Sequence, residues 1–459
     1  MKKHISGKNI FSEADKLLTL LALAAPSDAE KSEIRRLFDC GVDFSEFTWK
    51  LRHNDIAPMI FLHLDKLNLL GSVPDVLLHE LRDRHREITE KNTGRLAYAE
   101  DIFKQFQKAG IEVIVLKGVL FAETIYKDVG YKKMNDMDIL IRHRDVKKVK
   151  EVYRNIGLVP LALFESGDEK ESETKSYHLP SYISRDLNFV IGTHWNLCSP
   201  KAGYKINREI LWDRSVETFI RGTKIRSLCA SDALLHLVVH FHYYKTGLKE
   251  FADFVNLIRS VPHFPWDEFS SQVEKAETFT PAYRTLSILN ALFPGIAPDS
   301  LVAKCREKAD KWVVRDTDRL VRRKDLLLKS RSVYNSRIEK AYLGFSFENR
   351  FLKKFSLFLV FWKRLLFPPA ETLYRTNSSA CCENSLFWLW TMNVYRTARE
   401  VGQSHGMGIF LLLMLKSSWE LIHSAFWNIT GNISDPMEEL RRELGTDEKR
   451  LRELMESME

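Results

Sequence analysis

The chain of 459 residues contains no apolar run long enough to cross a bilayer. A spanning helix needs about 20 consecutive apolar residues. Phe355–Trp362 (FSLFLVFW) is closed by Lys363-Arg364, and Ile409–Leu415 (IFLLLML) by Lys416. Such segments suit buried helices, with a helix lying against a membrane surface as the alternative. The opening stretch MKKHISGKNIFSEADKLL has neither a long apolar core nor a small-residue cleavage site, so a cytoplasmic location is expected. Cysteine is scarce, and Cys40, Cys198, Cys229, Cys305, Cys381 and Cys382 lack the spacing of a zinc site or a redox CxxC. A bridge between the adjacent Cys381 and Cys382 would be strained, so free thiols in a reducing compartment are expected. No HExxH motif, internal repeat or low-complexity tract occurs. Neither sign of charge dominates: 69 Lys and Arg against 61 Asp and Glu leave +8. That mild excess suits a nucleotide, a nucleic acid or an acidic membrane surface, and selects none of them.

What is present is mostly helical periodicity. Apolar residues recur at helical spacing through residues 1–109, ending with Glu100–Ala109 ahead of Gly110. The texture then changes. Ile111–Leu116 and Met137–Ile141 read as buried strands, with a helix over Val119–Tyr126 between them. Asp145–Ile156 reads as a basic amphipathic helix, Leu158–Phe164 as a third strand, and Glu165–Lys175 as a polar loop. Tyr182–Arg185 and Asn188–Trp195 suggest a hairpin turning near Asp186-Leu187. Four regions follow: an N-terminal helical region (1–109), an α/β core (110–200), a helical domain (201–335), and an aromatic-rich helical region (336–459) ending in a charged helix. The expected fold class is α+β, a small mixed sheet embedded in a mainly helical protein.

Chemistry concentrates at Asp136-Met137-Asp138-Ile139-Leu140. Residues two apart in a strand point to the same side, so the two carboxylates share a face. Two such charges repel unless a cation sits between them. Mg²⁺ is the natural guest, with Mn²⁺ as an alternative, because a hard cation takes oxygen ligands and keeps positions open for phosphates. Upstream, Lys117-Gly118 joins a strand to a helix. A glycine there lets backbone N–H groups approach a phosphate, although an ordinary β–α turn also uses one. Lys117, Lys132 and Lys133 either neutralise phosphates or are solvated loop residues.

Leu116-Lys117-Gly118, Tyr126 and the stretch Lys132–Leu140 (KKMNDMDIL) together resemble the uncharacterised bacterial nucleotidyltransferase family of the DNA polymerase beta superfamily. Tyr177-His178-Leu179-Pro180, Thr193-His194-Trp195, Ser231–His236, His240 and the helix containing Asp253 extend the resemblance. It implies a nucleotidyltransferase core in which Asp136 and Asp138 are metal ligands and Lys117-Gly118 is the phosphate-side turn. Three departures stand out. Lys132 replaces the family's arginine, exchanging a bidentate fork for a point charge. Val119 replaces a serine. Gly192 occupies the place of a third carboxylate, for which Asp186 would substitute only if the hairpin bends toward the pair.

Around that centre, His194 is a candidate base or substrate ligand and His178 a substrate-binding candidate, each with a structural reading beside it. His236 and His240 lie four apart on one helix face, spacing that fits a metal pair but fits packing against the core better. Asp253 is expected to pair with one of these histidines. The basic run Lys304–Arg331 alternates with acids and has few aromatics, so a solvated helix is favoured over a nucleic-acid surface. The expected function is Mg²⁺-dependent nucleotidyl transfer from an NTP to a hydroxyl acceptor. Asp136, Asp138 and His194 are its catalytic candidates, and Lys117, Gly118, Lys132, Lys133 and His178 its substrate contacts. The alternative is a weak or inactive relative that binds a nucleotide or protein partner in a regulatory role. Peripheral membrane contact through the C-terminal region is a third, lesser reading.

Overall fold

A computed structural model describes residues 11–160, 177–198, 202–240 and 247–322, with a few isolated positions beyond. The polar loop expected over Glu165–Lys175, the aromatic-rich C-terminal region and its charged terminal helix lie outside the described residues. By contacts the chain divides into residues 1–331 with 436–459, and residues 332–435. The elements below belong to the first unit.

Four helices open it: α1 (Glu13–Leu21), α2 (Asp28–Asp39), α3 (Phe44–Asn54) and α4 (Ala57–Lys66). The first two begin with capping boxes, Ser12 with Asp15 and Ser27 with Glu30, which satisfy the free N–H groups of the first turn. Helix α5 (Asp75–Lys108) is one rod of 34 residues that runs without a break into the segment expected over Glu100–Ala109. Glu100 and Lys104 pair one turn apart along it at 2.6 Å. Gly110, at φ +65°, ends it.

The sheet follows. Strand β1 (Val113–Val115) leads through a short helix α6 (Val119–Phe121) and a π-type turn (Ala122–Tyr126) to β2 (Met137–Ile141). Helix α7 (Val146–Asn155), β3 (Val159–Pro160), β4 (Tyr182–Ile183) and β5 (Val190–His194) come next. After α8 (Arg208–Arg214), a hairpin of β6 (Val216–Ile220) and β7 (Thr223–Ser227) joins the same sheet. The sequence reading ended the sheet near residue 200 and missed this pair. Its signal was present: alternating V-E-T-F-I and T-K-I-R-S around Arg221-Gly222, both at positive φ as a two-residue hairpin turn requires.

The strand order is β3-β4-β5-β2-β1-β7-β6. Strands β2 and β5 run parallel, as do β1 and β7, while β1 and β2 are antiparallel. The mixed sheet and its helical surroundings are the α+β class expected. Ile114, Val115, Ile139 and Ile191 are fully buried, as are Leu96, Ala99 and Phe106 on α5. Helices α9 (Ala230–His240), α10 (Leu248–Ser260), α11 (Trp266–Lys275), α12 (Phe279–Leu292), α13 (Asp299–Lys308) and α14 (Lys311–Leu320) complete the described unit. Among the described residues, no helix is long and apolar enough to cross a membrane.

Candidate active site

The site is assembled where β1 ends and where β2 and β5 begin. The parallel ladder sets Asp138 opposite Gly192 and Leu140 opposite His194. Registered partners point the same way, so Asp138, Gly192 and His194 share a face. Thr193 points to the other side, where its hydroxyl meets Tyr153 Oη at 2.6 Å. Antiparallel β1 brings Leu116 N to Asp138 O at 3.0 Å, which delivers Lys117 to the same place.

Both oxygens of Asp138 are engaged. Lys117 Nζ stands 3.3 Å from Oδ2 and also bonds His240 Nε2. His194 Nε2 lies 3.2 Å from Oδ1, and because a carboxylate only accepts, the imidazole donates through that nitrogen. Burial by itself would raise the Asp138 carboxyl, but Lys117 and His194 outweigh it and hold it well below the usual carboxylate range. Asp136 behaves oppositely. The residue is exposed, while the protein around its carboxyl desolvates it. That desolvation, and then the negative charge of Asp138, push it up to about 6. The pair therefore carries an excess of negative charge on its open side.

The remaining candidates are spread around this centre. Gly118 has φ +57°, a conformation L side chains rarely adopt, so the turn after Lys117 does require glycine. His178 faces His194 across a bridge, with ring centroids 5.5 Å apart, and donates Nδ1–H to Leu179 O at 2.6 Å. Burial lowers its pKa and keeps it neutral. Lys133 has its pKa lowered by burial and then by Lys249, with Arg95 and Arg84 adding to the effect. Lys132 does not reach the carboxylate pair: its ammonium is held by Asp253. Asp253 also accepts from Tyr126 Oη at 3.1 Å, so the expected pairing of Asp253 with a histidine gives way to a lysine and a tyrosine. His236 and His240 do lie side by side on α9, with ring centroids 5.4 Å apart. Burial and then Lys117 push His236 down to about 3, so it is neutral.

The place of the third carboxylate has a steric explanation. A Cβ on Gly192 would stand 2.5 Å from Asp138 Oδ1 and 3.2 Å from His194 Nε2. The Asp138 carboxylate, with the His194 imidazole behind it, fills the space that a side chain at 192 would need. Asp186 is bound into the β4–β5 turn by Tyr98 Oη at 2.7 Å, Asn188 Nδ2 at 3.0 Å and the Ser184 hydroxyl. Burial would raise its carboxyl, yet these donors hold it at about 2. Among the described residues, no three His, Cys, Asp or Glu side chains are grouped to hold a metal. Sequence reasoning missed Asn92, on α5, whose Nδ2 binds Val129 O at 2.6 Å and Lys132 O at 2.9 Å. No local pattern announces a contact across some forty residues.

A family model described as an uncharacterised nucleotidyltransferase matches residues 41–294. No curated protein and no solved structure matches the chain. The matched span is more than half of the chain and contains Lys117-Gly118, both carboxylates, Gly192 and His194. The chain belongs to this uncharacterised nucleotidyltransferase family.

Proposed function

We propose that the protein transfers a nucleotidyl group from an NTP to a hydroxyl acceptor, with Mg²⁺ or Mn²⁺ held by Asp136 and Asp138, on a core of the DNA polymerase beta type. The observation that carries this reading is the unequal pair on one strand face: a low-pKa Asp138 beside an Asp136 raised by desolvation and then by the repulsion of its neighbour's charge. A hard divalent cation relieves that repulsion, and Mg²⁺ commonly takes only one or two protein carboxylates, completing its shell with phosphate and water. The donor set therefore fits such an ion without a third acid. When bound, the ion supplies polarisation of the phosphate and alignment of the two reacting oxygens.

The chain's own residues do the rest by positioning and charge. Lys117 stands beside Asp138 and offsets negative charge arriving with a phosphate. The Gly118 turn lets the backbone approach it. Lys133, among Lys249, Arg84 and Arg95 with Asp55 offsetting part of their charge, adds positive field. His194 orients Asp138 and stands on the β5 side, open to an acceptor hydroxyl. An attacking hydroxyl oxygen forms the new bond to the α-phosphorus as the bond to pyrophosphate breaks, and the hydroxyl proton is released to solvent. His178 packs beside His194 at the edge of the site.

Gly192 favours a second reading, a relative that binds a nucleotide without turnover and acts through a partner. Incubation with each labelled NTP and Mg²⁺ or Mn²⁺ separates the two. The transferase reading expects pyrophosphate release that Asp138→Asn abolishes. Nucleotide binding with no release under any condition supports the regulatory reading instead.

A further inference from the structure

The loop from Lys127 to Asn135 connects the Gly118 side of the site to β2, and it is secured at several points. Tyr131 stacks on Tyr126 with centroids 4.0 Å apart, and its hydroxyl donates to Gly118 O at 3.2 Å. Asn92 holds the carbonyls of Val129 and Lys132. Gly130 N donates to Asp128 Oδ1 at 2.6 Å. These contacts fix the backbone. The Lys132 side chain runs elsewhere, to Asp253 on α10.

Asp253 is the centre of a buried network. Its Oδ2 takes Lys132, and its Oδ1 takes Tyr126 Oη at 3.1 Å. Asn256, one turn on, donates to Tyr126 Oη at 3.1 Å and to Ala22 O at 2.8 Å, and accepts from Ala24 N at 2.8 Å. The Lys132 and Asp253 side chains are only 13% and 5% exposed. A phosphate that drew Lys132 away would leave a buried carboxylate with one hydroxyl donor, an unfavourable exchange.

We propose that Asp253 is a positioning residue which, through Lys132 and Tyr126, sets the loop that carries Asp136 and Asp138 and braces the Gly118 turn. Lys132 then serves the site as one half of this clamp, and Lys117 and Lys133 are left to meet anions. The proposal rests on the metal-binding reading of the carboxylate pair. Sites of this kind tolerate displacements of only about half an ångström, so a loop anchored four residues before Asp136 governs their geometry.

The test uses the full chain and two probes, Mn²⁺ alone and metal-free tripolyphosphate. Free Mn²⁺ is followed by electron paramagnetic resonance, tripolyphosphate binding by calorimetry, and folding by thermal melting. Asp253→Asn is expected to weaken Mn²⁺ binding by about tenfold, the usual size of an outer-shell effect. Lys132→Met is expected to weaken Mn²⁺ similarly while changing tripolyphosphate affinity by no more than about twofold. Should Asp253→Asn fail to fold, Lys132→Met with Asp253→Leu, which leaves no unpaired buried charge, is read in its place. Unchanged Mn²⁺ affinity in folded variants overturns the proposal alone, as does loss of tripolyphosphate binding in Lys132→Met. A wild-type chain that binds no Mn²⁺ overturns the metal reading and the proposal with it.

Discussion

Gly192 lies directly across the parallel ladder from Asp138, and a Cβ placed on it would stand 2.5 Å from the Asp138 carboxylate. Installing an acid at 192 therefore does not rebuild a three-carboxylate site. Gly192→Asp is expected to lower the melting temperature, since overpacking of this kind costs roughly 1–3 kcal/mol. It is also expected to reduce pyrophosphate release, because the new side chain displaces either Asp138 or His194. A Gly192→Asp protein more active than wild type would falsify this account of the position.

The two carboxylates should respond in opposite ways to removal of their charge. In metal-free buffer at neutral pH, Asp136→Asn is expected to raise the melting temperature, because it removes a charge disfavoured by desolvation and then by the repulsion of Asp138, which together lift Asp136 to about 6. Asp138→Asn is expected to lower it, because Lys117 and His194 lose their shared partner. Both should lose Mn²⁺ binding. A destabilised Asp136→Asn protein, measured by calorimetry in chelator, would show that the pair is not electrostatically frustrated.

Among the lysines, Lys117 and Lys133 should separate kinetically. Lys117 touches Asp138, so Lys117→Met is expected to reduce kcat by roughly 10- to 100-fold, the worth of one charge-assisted contact. Lys133 sits in a more distant cationic group with Lys249, Arg84 and Arg95. Its replacement by Met is expected to raise KM for NTP by about tenfold with kcat little changed. Steady-state measurements over a range of NTP concentrations decide this, and equal effects on kcat from both variants contradict it.

Acid should weaken the fold through His63. This residue is buried on α4, donates Nδ1–H to Leu21 O, and leaves Nε2 without a partner among the described residues. Burial pushes its pKa from 6.5 down to about 4, so the native state resists the proton that the unfolded chain accepts. Stability from this group is complete above pH 6.5 and is lost as pH falls toward 4, a loss on the order of 3 kcal/mol. His63→Phe, which keeps a ring beside Tyr126, should flatten that part of the profile. Urea denaturation of both proteins between pH 4 and 7 tests it, and parallel curves count against the assignment.

Much of the centre was legible before any coordinates. Met137–Ile141 is a strand with the expected limits, and Asp253 lies on a helix, Leu248–Ser260, as expected. Both are strongly periodic segments bounded by clear punctuation. The positive φ of Gly118 agrees with the reading of Lys117-Gly118 as a tight turn. Less legible is the division of residues 266–292. That span breaks into two helices around Glu277, a non-glycine residue at φ +57° that no pattern flags.

The sequence by itself determined that Asp136 and Asp138 face one way, because alternation along a strand is a property of the backbone. Local apolar periodicity likewise determined the α+β class. Only the tertiary structure decided that β5 lies parallel beside β2, with Gly192 and His194 at Asp138. It alone gave Lys132 to Asp253, 121 residues away, and joined β7 to β1. Such pairings depend on which distant faces bury together and which buried charges must be neutralised, conditions that no stretch of neighbouring residues contains.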